Sequence, residues 1–171
     1  IVTDVTSMEA VICVMGPRSR DLLATLTTVS LSNEDFPFGT AQPIELGMAP
    51  VRAHRVSYVG ELGWELHLPA EYALTVFDAL HAAGEQHGLR NAGYRAIETL
   101  RLEKGYRAWS FDIGPDHTPD EAGLGWAVKL KSNIPFKGRD AAATQREKGV
   151  KKIMATFTCD SDVILSGRET I

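Results

Sequence analysis

The amino-acid sequence predicts an α+β fold. Apolar runs of strand length alternate with stretches of helical period, and residues 49–69 have the glycine-interrupted pattern of a β-hairpin rather than that of a crossover unit. The chain has 171 residues, of which 44% are hydrophobic and 23% are charged, so it can bury a substantial core. Antiparallel sheets packed against helices are therefore expected, not a doubly wound parallel sheet.

Composition also narrows the classes of partner. The formal net charge of −4 argues against a nucleic acid held by a global positive field. The longest apolar stretch, residues 10–15, is far shorter than the roughly 20 residues that cross a bilayer, so no membrane span is expected. Cys13 and Cys159 lie far apart and the five histidines are scattered, so no metal site is expected, and sparse cysteines suit a reducing compartment.

The N-terminal part of the sequence predicts a strand, a helix and a loop. Residues 10–15 are apolar and rich in β-branched side chains, which is typical of a buried strand, and Gly16 ends the run. Pro17 fits the first position of a helix, and leucines within residues 19–26 form its apolar stripe. The turn-rich residues 30–47 predict a loop.

Two strand-like runs, residues 49–59 and 63–69, form the predicted β-hairpin. Glycines at both ends of residues 60–63 permit a tight reversal between them. In the second arm a period of two places Glu65 and His67 on one face, away from the apolar side. The apolar face of that arm carries Trp64, Leu66 and Leu68.

Two packing helices follow the hairpin. Residues 70–83 carry apolar side chains at three- and four-residue spacing and end at a glycine. A second helix begins near Tyr94 and stops near Gly105, and Ile97 and Leu100 are expected to face a core. Its adjacent face carries Arg95, Glu98 and Leu102.

A helix start is predicted at Thr118. Thr118 is the expected N-cap, Pro119 occupies the first helical position, and Glu121 completes a capping box. After the following glycines, residues 126–130 predict a strand.

The C-terminal part predicts a surface helix and a change of domain. Residues 138–148 are polar and alanine-rich, and residues 152–158 predict a strand that begins a new unit. We therefore expect one domain over residues 1–149 and the truncated start of another over residues 150–171.

Glycine, aromatic and acidic residues are concentrated in residues 55–66. A hairpin of this kind can present a carboxylate beside an aromatic face. A flat heterocycle with an amino-pyrimidine edge needs that combination, because the carboxylate accepts two N–H donors and the aromatic wall supports stacking. A solvated strand glutamate and a core tyrosine fit the same residues, so both interpretations stay open at this point.

Several ordered motifs resemble one family. Residues 58–65 resemble the Tyr-Thr-Gly-Glu-Asp-Gly-Phe-Glu signature of the glycine-cleavage T-protein (aminomethyltransferase) family, and residues 93–105 resemble its Gly-Leu-Gly-Ala-Arg-Asp-Thr-Leu-Arg-Leu-Glu-Ala-Gly helix. Further similar segments follow in family order at residues 112–113, 118–119, 123–126 and 136–141. Within the family, residues 60–65 and 100–109 look most like the folate-binding half of dimethylglycine and sarcosine dehydrogenases.

The resemblance implies a fold and a set of ligand-binding residues. It implies the aminomethyltransferase folate-binding fold, followed by the start of a C-terminal β-barrel. Glu65 would bind the pterin ring of tetrahydrofolate, Tyr58 would line the same pocket, Arg95 would approach the polar parts of folate, and Trp126 would add an apolar wall. An ion pair of Arg95 with Glu98, and core packing of Trp126, are the purely structural alternatives.

The resemblance also implies a larger parent protein. Its separate FAD domain, for which this chain has no fingerprint, would oxidise an N-methylamine, and the folate half would capture the one-carbon unit as methylenetetrahydrofolate. The catalytic aspartate of the family would lie before Ile1, so no catalytic residue is assigned here, and Asp4 does not match it. Both ends of the chain are expected to be cut, and residues 165–171 resemble only the opening of the barrel.

Two alternatives to the dehydrogenase hypothesis remain. One is a regulatory or scaffold homologue that kept the fold without the chemistry, and the other is an aminomethyltransferase that acts on a lipoyl-bound carrier. The expected location is the cytoplasm for a bacterial protein and the mitochondrial matrix for a eukaryotic one.

Overall fold

The computed structural model describes residues 1–159 and Ile164. These residues form helices and a four-stranded antiparallel sheet, which confirms the predicted α+β class. The strands are β1 (Glu9–Met15), β2 (Ala41–Leu46), β3 (Ala49–His54) and β4 (Gly63–Pro69). The α-helices are α1 (Ser19–Ala24), α2 (Ala73–Gly84), α3 (Tyr94–Glu103) and α4 (Arg139–Lys148).

The chain divides into two compact units, residues 1–106 and 107–171. The first unit holds the whole sheet, whose strand order is β1-β4-β3-β2. Strand β4 pairs with β1 along its full length and with β3 near His67 and Glu65, while β2 lies at the edge. Among the described residues, no helix is long and apolar enough to cross a membrane.

One face of the sheet is buried under the first two α-helices. Alternate residues of β4 point into this core, as the period of two predicts, and Trp64 at its centre is fully buried. The ring of Trp64 meets the edge of Phe36, with 6.2 Å between ring centroids. The other large, fully buried side chains are Leu22, Leu23, Leu66, Leu68 and Val76.

Strand β2 corrects the prediction of a loop over residues 30–47. Ile44 and Leu46 alternate with exposed neighbours and are buried in the core, so the strand has a period of two. Pro43 hides this pattern in the sequence because proline is normally depleted in strands. An edge strand tolerates it, since the missing N–H faces no partner strand.

The predicted pairing of β3 with β4 is confirmed, but the tight reversal at residues 60–63 is wrong. Strand β3 ends at His54, and residues 55–62 form a longer connection. Arg55 is the first residue of this connection. Its backbone N–H donates to the Thr40 carbonyl, and its buried guanidinium donates to the Phe36 carbonyl.

The helices of the first unit follow the prediction with two exceptions: α1 begins at Ser19 and not at Pro17, and the buried face of α3 differs. Leu100 is 36% exposed, whereas Arg101 is only 2% exposed. Arg101 donates to the Tyr106 carbonyl at 2.9 Å and forms an ion pair with Glu98. These partners offset the cost of removing the guanidinium from water, which sequence periodicity does not reveal.

The second unit contains less regular structure than predicted. The capping box forms, since the Thr118 N–H donates to Glu121 Oε2 at 3.0 Å, but it supports a single turn instead of a helix. Gly123, at φ 69°, follows at once, and residues 126–130 form no strand because a 3₁₀ turn occupies Gly125–Ala127. Both predicted elements were therefore wrong.

Helix α4 agrees with the predicted surface helix, because none of its residues is buried. Residues 152–158 were predicted as a strand and form none. Within the part of the chain that the structure describes, the Met154 N–H donates to the Glu121 carbonyl, and this single backbone bond to another segment is not a strand ladder. The predicted barrel opening at residues 165–171 lies outside the described residues, and the domain boundary after residue 149 stays a prediction.

Candidate functional site

The outer face of the sheet carries a row of polar side chains. The antiparallel register places Cys13 and His54 on either side of Glu65, and Arg52 beside His67. Residues on the same face of neighbouring strands lie close enough for their side chains to interact. This row forms the candidate site.

Glu65 is the centre of the row. As predicted, it faces away from the apolar side of β4, and its side chain is 34% exposed. Its Oε2 lies 3.5 Å from His67 Nε2, without hydrogen-bond geometry. Burial and the Glu65 charge raise the pKa of the Cys13 thiol, so Cys13 stays protonated and is a poor nucleophile.

His54 and His67 stack on one another next to this carboxylate. Their ring centroids are 4.4 Å apart, with 28° between the planes. Burial, with smaller contributions from His67 and Arg52, lowers the pKa of His54, so its imidazole is neutral near pH 7. Nε2 is buried without a hydrogen-bond partner in both rings. Such orphaned polar atoms are costly, and a bound polar ligand would satisfy them.

A groove runs along this face of the sheet. It has a volume of about 980 Å³ and is lined in part by Arg52, His54 and His67. Volumes of roughly 300–1,000 Å³ are typical of small-molecule sites. The groove therefore reaches the two histidines that flank Glu65.

Tyr58 lies in the connection between β3 and β4. Its ring is 40% exposed and stacks on Tyr106, with 5.9 Å between centroids and 15° between planes. Arg101 donates to the Tyr106 carbonyl, so the end of α3 fixes the backbone of the residue on which Tyr58 stacks. The Glu65 carboxylate, in contrast to Tyr58, has its neighbouring ring within the sheet, at His67.

The other two predicted residues are exposed. Arg95 lies in the first turn of α3, about 12 Å along the helix from the end near Tyr106, at roughly 1.5 Å per residue. Glu98 pairs with Arg101, so it is not the partner of Arg95. Trp126 belongs to the second unit and is 75% exposed, so core packing does not account for it.

Sequence reasoning placed His67 on the face of Glu65 without assigning it to the site, and it missed His54 and Arg52. The alternation of β3 was visible in the sequence, but which of its residues faces Glu65 depends on the strand register. That register depends on how the strands pack together, which the sequence alone did not show. Among the described residues, no three His, Cys, Asp or Glu side chains are grouped to hold a metal ion.

A groove of ligand size on the open sheet face, with a few polar side chains among apolar ones, suits a small-molecule-binding domain. The family model described as the GCVT N-terminal domain matches residues 1–132. The chain therefore belongs to this family, as the hairpin and helix motifs indicated.

Three curated relatives and one solved structure are similar to the chain. Mitochondrial sarcosine dehydrogenase of Mus musculus is 49% identical over 92% of this chain and 17% of its own length. Mitochondrial dimethylglycine dehydrogenase of Homo sapiens is 37% identical over 99% of this chain and 20% of its own length. The mitochondrial pyruvate dehydrogenase phosphatase regulatory subunit of Mus musculus is 36% identical over 94% of this chain and 18% of its own length.

The solved structure is the glycine cleavage system aminomethyltransferase T from Bartonella henselae. It superposes with a TM-score of 0.66 at 28% identity, over 82% of this chain and 37% of its own. This match agrees with the predicted aminomethyltransferase fold. The chain spans about a fifth of the length of the curated relatives described above.

Proposed function

We propose that this chain is the tetrahydrofolate-binding segment of a larger enzyme of the sarcosine or dimethylglycine dehydrogenase type. In that enzyme it holds the folate that captures, as methylenetetrahydrofolate, the one-carbon unit from N-methylglycine oxidation. One observation carries the proposal. Glu65 is a half-buried carboxylate on the open face of the sheet, and the histidines that flank it line a groove of ligand size.

The residues present fit a pterin. The amino-pyrimidine edge of a pterin offers adjacent N–H donors, which a carboxylate such as that of Glu65 can accept in pairs. The exposed part of the Tyr58 ring is proposed as an aromatic contact for the bound ligand. Arg95 is exposed and is assigned to the polar parts of folate.

The chemistry divides between this chain and the rest of the parent protein. Bound tetrahydrofolate supplies the amine that accepts the one-carbon unit. Glu65 and Tyr58 bind and orient that ligand, and correct orientation by itself lowers the barrier to reaction. Proton transfer is assigned to an aspartate in the part of the parent before Ile1, and amine oxidation to an FAD domain of the same parent chain.

The names of the relatives support the proposal and its location. Two of them are mitochondrial dehydrogenases of sarcosine and dimethylglycine. We place a eukaryotic parent in the mitochondrial matrix and a bacterial parent in the cytoplasm.

A regulatory subunit is the second candidate, because one relative of similar identity carries that name. The two candidates differ in a simple assay. Incubation of the full-length protein with sarcosine or dimethylglycine and an electron acceptor reduces the acceptor if the protein is a dehydrogenase. A protein that neither turns over these amines nor binds folate belongs to the regulatory class.

The folate assignment is tested by a change at Glu65. Glu65→Gln keeps the side-chain size but removes the charge, so tetrahydrofolate binding should weaken by about 1.5–3 kcal/mol, roughly 10- to 150-fold. Isothermal titration calorimetry of the full-length protein measures this change. Glu71→Gln, which removes an exposed carboxylate in the turn Ala70–Tyr72, is the matched control and should leave the Kd unchanged. An unaltered Kd in Glu65→Gln would remove the basis of the assignment.

A further inference from the structure

A second concavity of the first unit, which we call the arginine pocket, is lined by Arg18, His87 and Arg90. It has a volume of about 370 Å³ and lies between the end of β1, the start of α1 and the segment after α2. Its lining contains no aspartate or glutamate and none of the residues assigned to folate. The pocket is therefore a cationic site separate from the one on the sheet.

Arg18 and Arg90 are both exposed side chains at this pocket, and within the described part of the chain neither has a carboxylate partner. The chain has 22 acidic and 18 basic residues, so carboxylates are plentiful. Among the described residues, however, neither Arg18 nor Arg90 forms an ion pair with a carboxylate. Arg18 Nη2 instead lies 3.3 Å from His87 Nδ1. Two guanidinium groups thus share one pocket without a neutralising partner.

The contact with His87 fixes the direction of the hydrogen bonds. A guanidinium has donors only, so Nδ1 of His87 accepts and the proton of the neutral ring lies on Nε2. The imidazole holds Arg18 in place and keeps an N–H available for a ligand. The three lining side chains therefore supply donors and no acceptor.

The rest of the lining is largely apolar or backbone. Val14 and Leu22, both buried, line the pocket together with the two exposed arginines. Gly88, at φ 72°, turns the chain after Glu85–His87 and allows Arg90 to return to the pocket. Guanidinium forks match the paired oxygens of phosphate and carboxylate groups.

We propose that the arginine pocket binds a compact oxyanion, carried as a phosphoryl group or as a dicarboxylate. The volume lies at the lower end of the range for small-molecule sites, so the pocket suits a small dianion. The proposal does not depend on the folate assignment, because the two sets of lining residues differ.

Calorimetric titration of the full 171-residue chain with inorganic phosphate and, separately, with glutarate tests the proposal. Tighter binding of phosphate identifies a phosphoryl site, and tighter binding of glutarate identifies a carboxylate site. The double variant Arg18→Gln/Arg90→Gln should bind the preferred anion roughly tenfold more weakly or worse. A control titration with sodium chloride at the same ionic strength corrects the measured affinity for the screening of charges by salt.

The matched control is Lys148→Gln/Lys151→Gln, which removes two charges from exposed positions of the second unit. Its affinity should stay within about twofold of the unmodified chain, since a non-specific attraction alone would weaken both variants equally. Circular dichroism checks that each variant is folded. If loss of the Arg18–His87 contact alters the fold of the double variant, the single variant Arg90→Gln is used in its place. Binding of neither anion, or equal weakening in both double variants, overturns the proposal.

Discussion

Arg55 and Arg101 are buried, although a guanidinium group is costly to remove from water. Arg55 donates to the Phe36 carbonyl and to Asn33 Oδ1, and Arg101 donates to the Tyr106 carbonyl. Arg55 begins the connection that carries Tyr58, and Arg101 holds the Tyr106 segment on which Tyr58 stacks. The two arginines therefore fix both supports of a residue assigned to the folate pocket.

His54 makes the stability of the first unit depend on pH. Burial, His67 and Arg52 lower its pKa, while Glu65 opposes them. The unfolded chain takes up this proton near pH 6.5, but the folded chain does so at lower pH. The unfolded state thus binds more protons in the window just below pH 6.5, and the free energy of unfolding falls as pH drops through it.

His54→Gln should therefore flatten the pH dependence of stability in that window. Urea unfolding followed by circular dichroism, at about pH 5.5 and about pH 7.5, gives the comparison. Arg18, His87 and Arg90 are unchanged in the variant, so its anion binding serves as a check on the fold. Equal loss of stability on acidification in both proteins would show that His54 is not the group responsible.

Strand β4 packs closely against β1 where β4 begins. Gly63 begins β4 opposite Met15, and a Cβ at this residue would lie 3.0 Å from the Val14 carbonyl oxygen and would overlap the Met15 sulfur. The sulfur can move, but the carbonyl belongs to the β1–β4 ladder. Gly63→Ala should therefore lower the free energy of unfolding by about 1–3 kcal/mol in urea titrations. Gly114→Ala, where a Cβ meets nothing within 4 Å, should change it little, and similar losses in both variants would contradict the steric argument.

Elements with a strong, unbroken period were predictable from the sequence. The faces of β4 and the start of α3 follow from side-chain spacing alone, because one side of each element packs on the protein. Strand β2 was missed because Pro43 interrupts its pattern, and the predicted strand at residues 126–130 failed because the 3₁₀ turn at Gly125–Ala127 occupies it.

The part of the candidate site that lies on strand β4 was predictable from the sequence. The period of β4 assigned Glu65 to the outer face, which the structure confirms. The same period placed His67 on that face, but His54 could not be joined to it, because its position beside Glu65 depends on the β3–β4 register. Long-range register is set by packing, which one sequence does not display.

The two units of the molecule differ in how much apolar surface they bury. The core that spans the sheet lies in the first unit. In the described part of the second unit, Ala122 is the one buried hydrophobic residue. The large hydrophobic side chains that are exposed in the described part of that unit are Trp109, Phe111, Trp126, Ile134, Phe136, Ile153, Phe157 and Ile164.

This difference predicts unequal local stability. Segments with few buried contacts open locally at low free energy, whereas core strands exchange their amide protons only on global unfolding. In hydrogen–deuterium exchange of the 171-residue chain, residues 107–159 should exchange roughly tenfold faster or more than β1, β3 and β4. Helix α4 is the sharpest probe, because it is fully hydrogen-bonded in its interior yet buries no residue. If α4 exchanges as slowly as β4, burial does not set the local stability of the second unit. If α4 exchanges faster, the first unit, which carries Glu65, is the part of the chain that unfolds cooperatively.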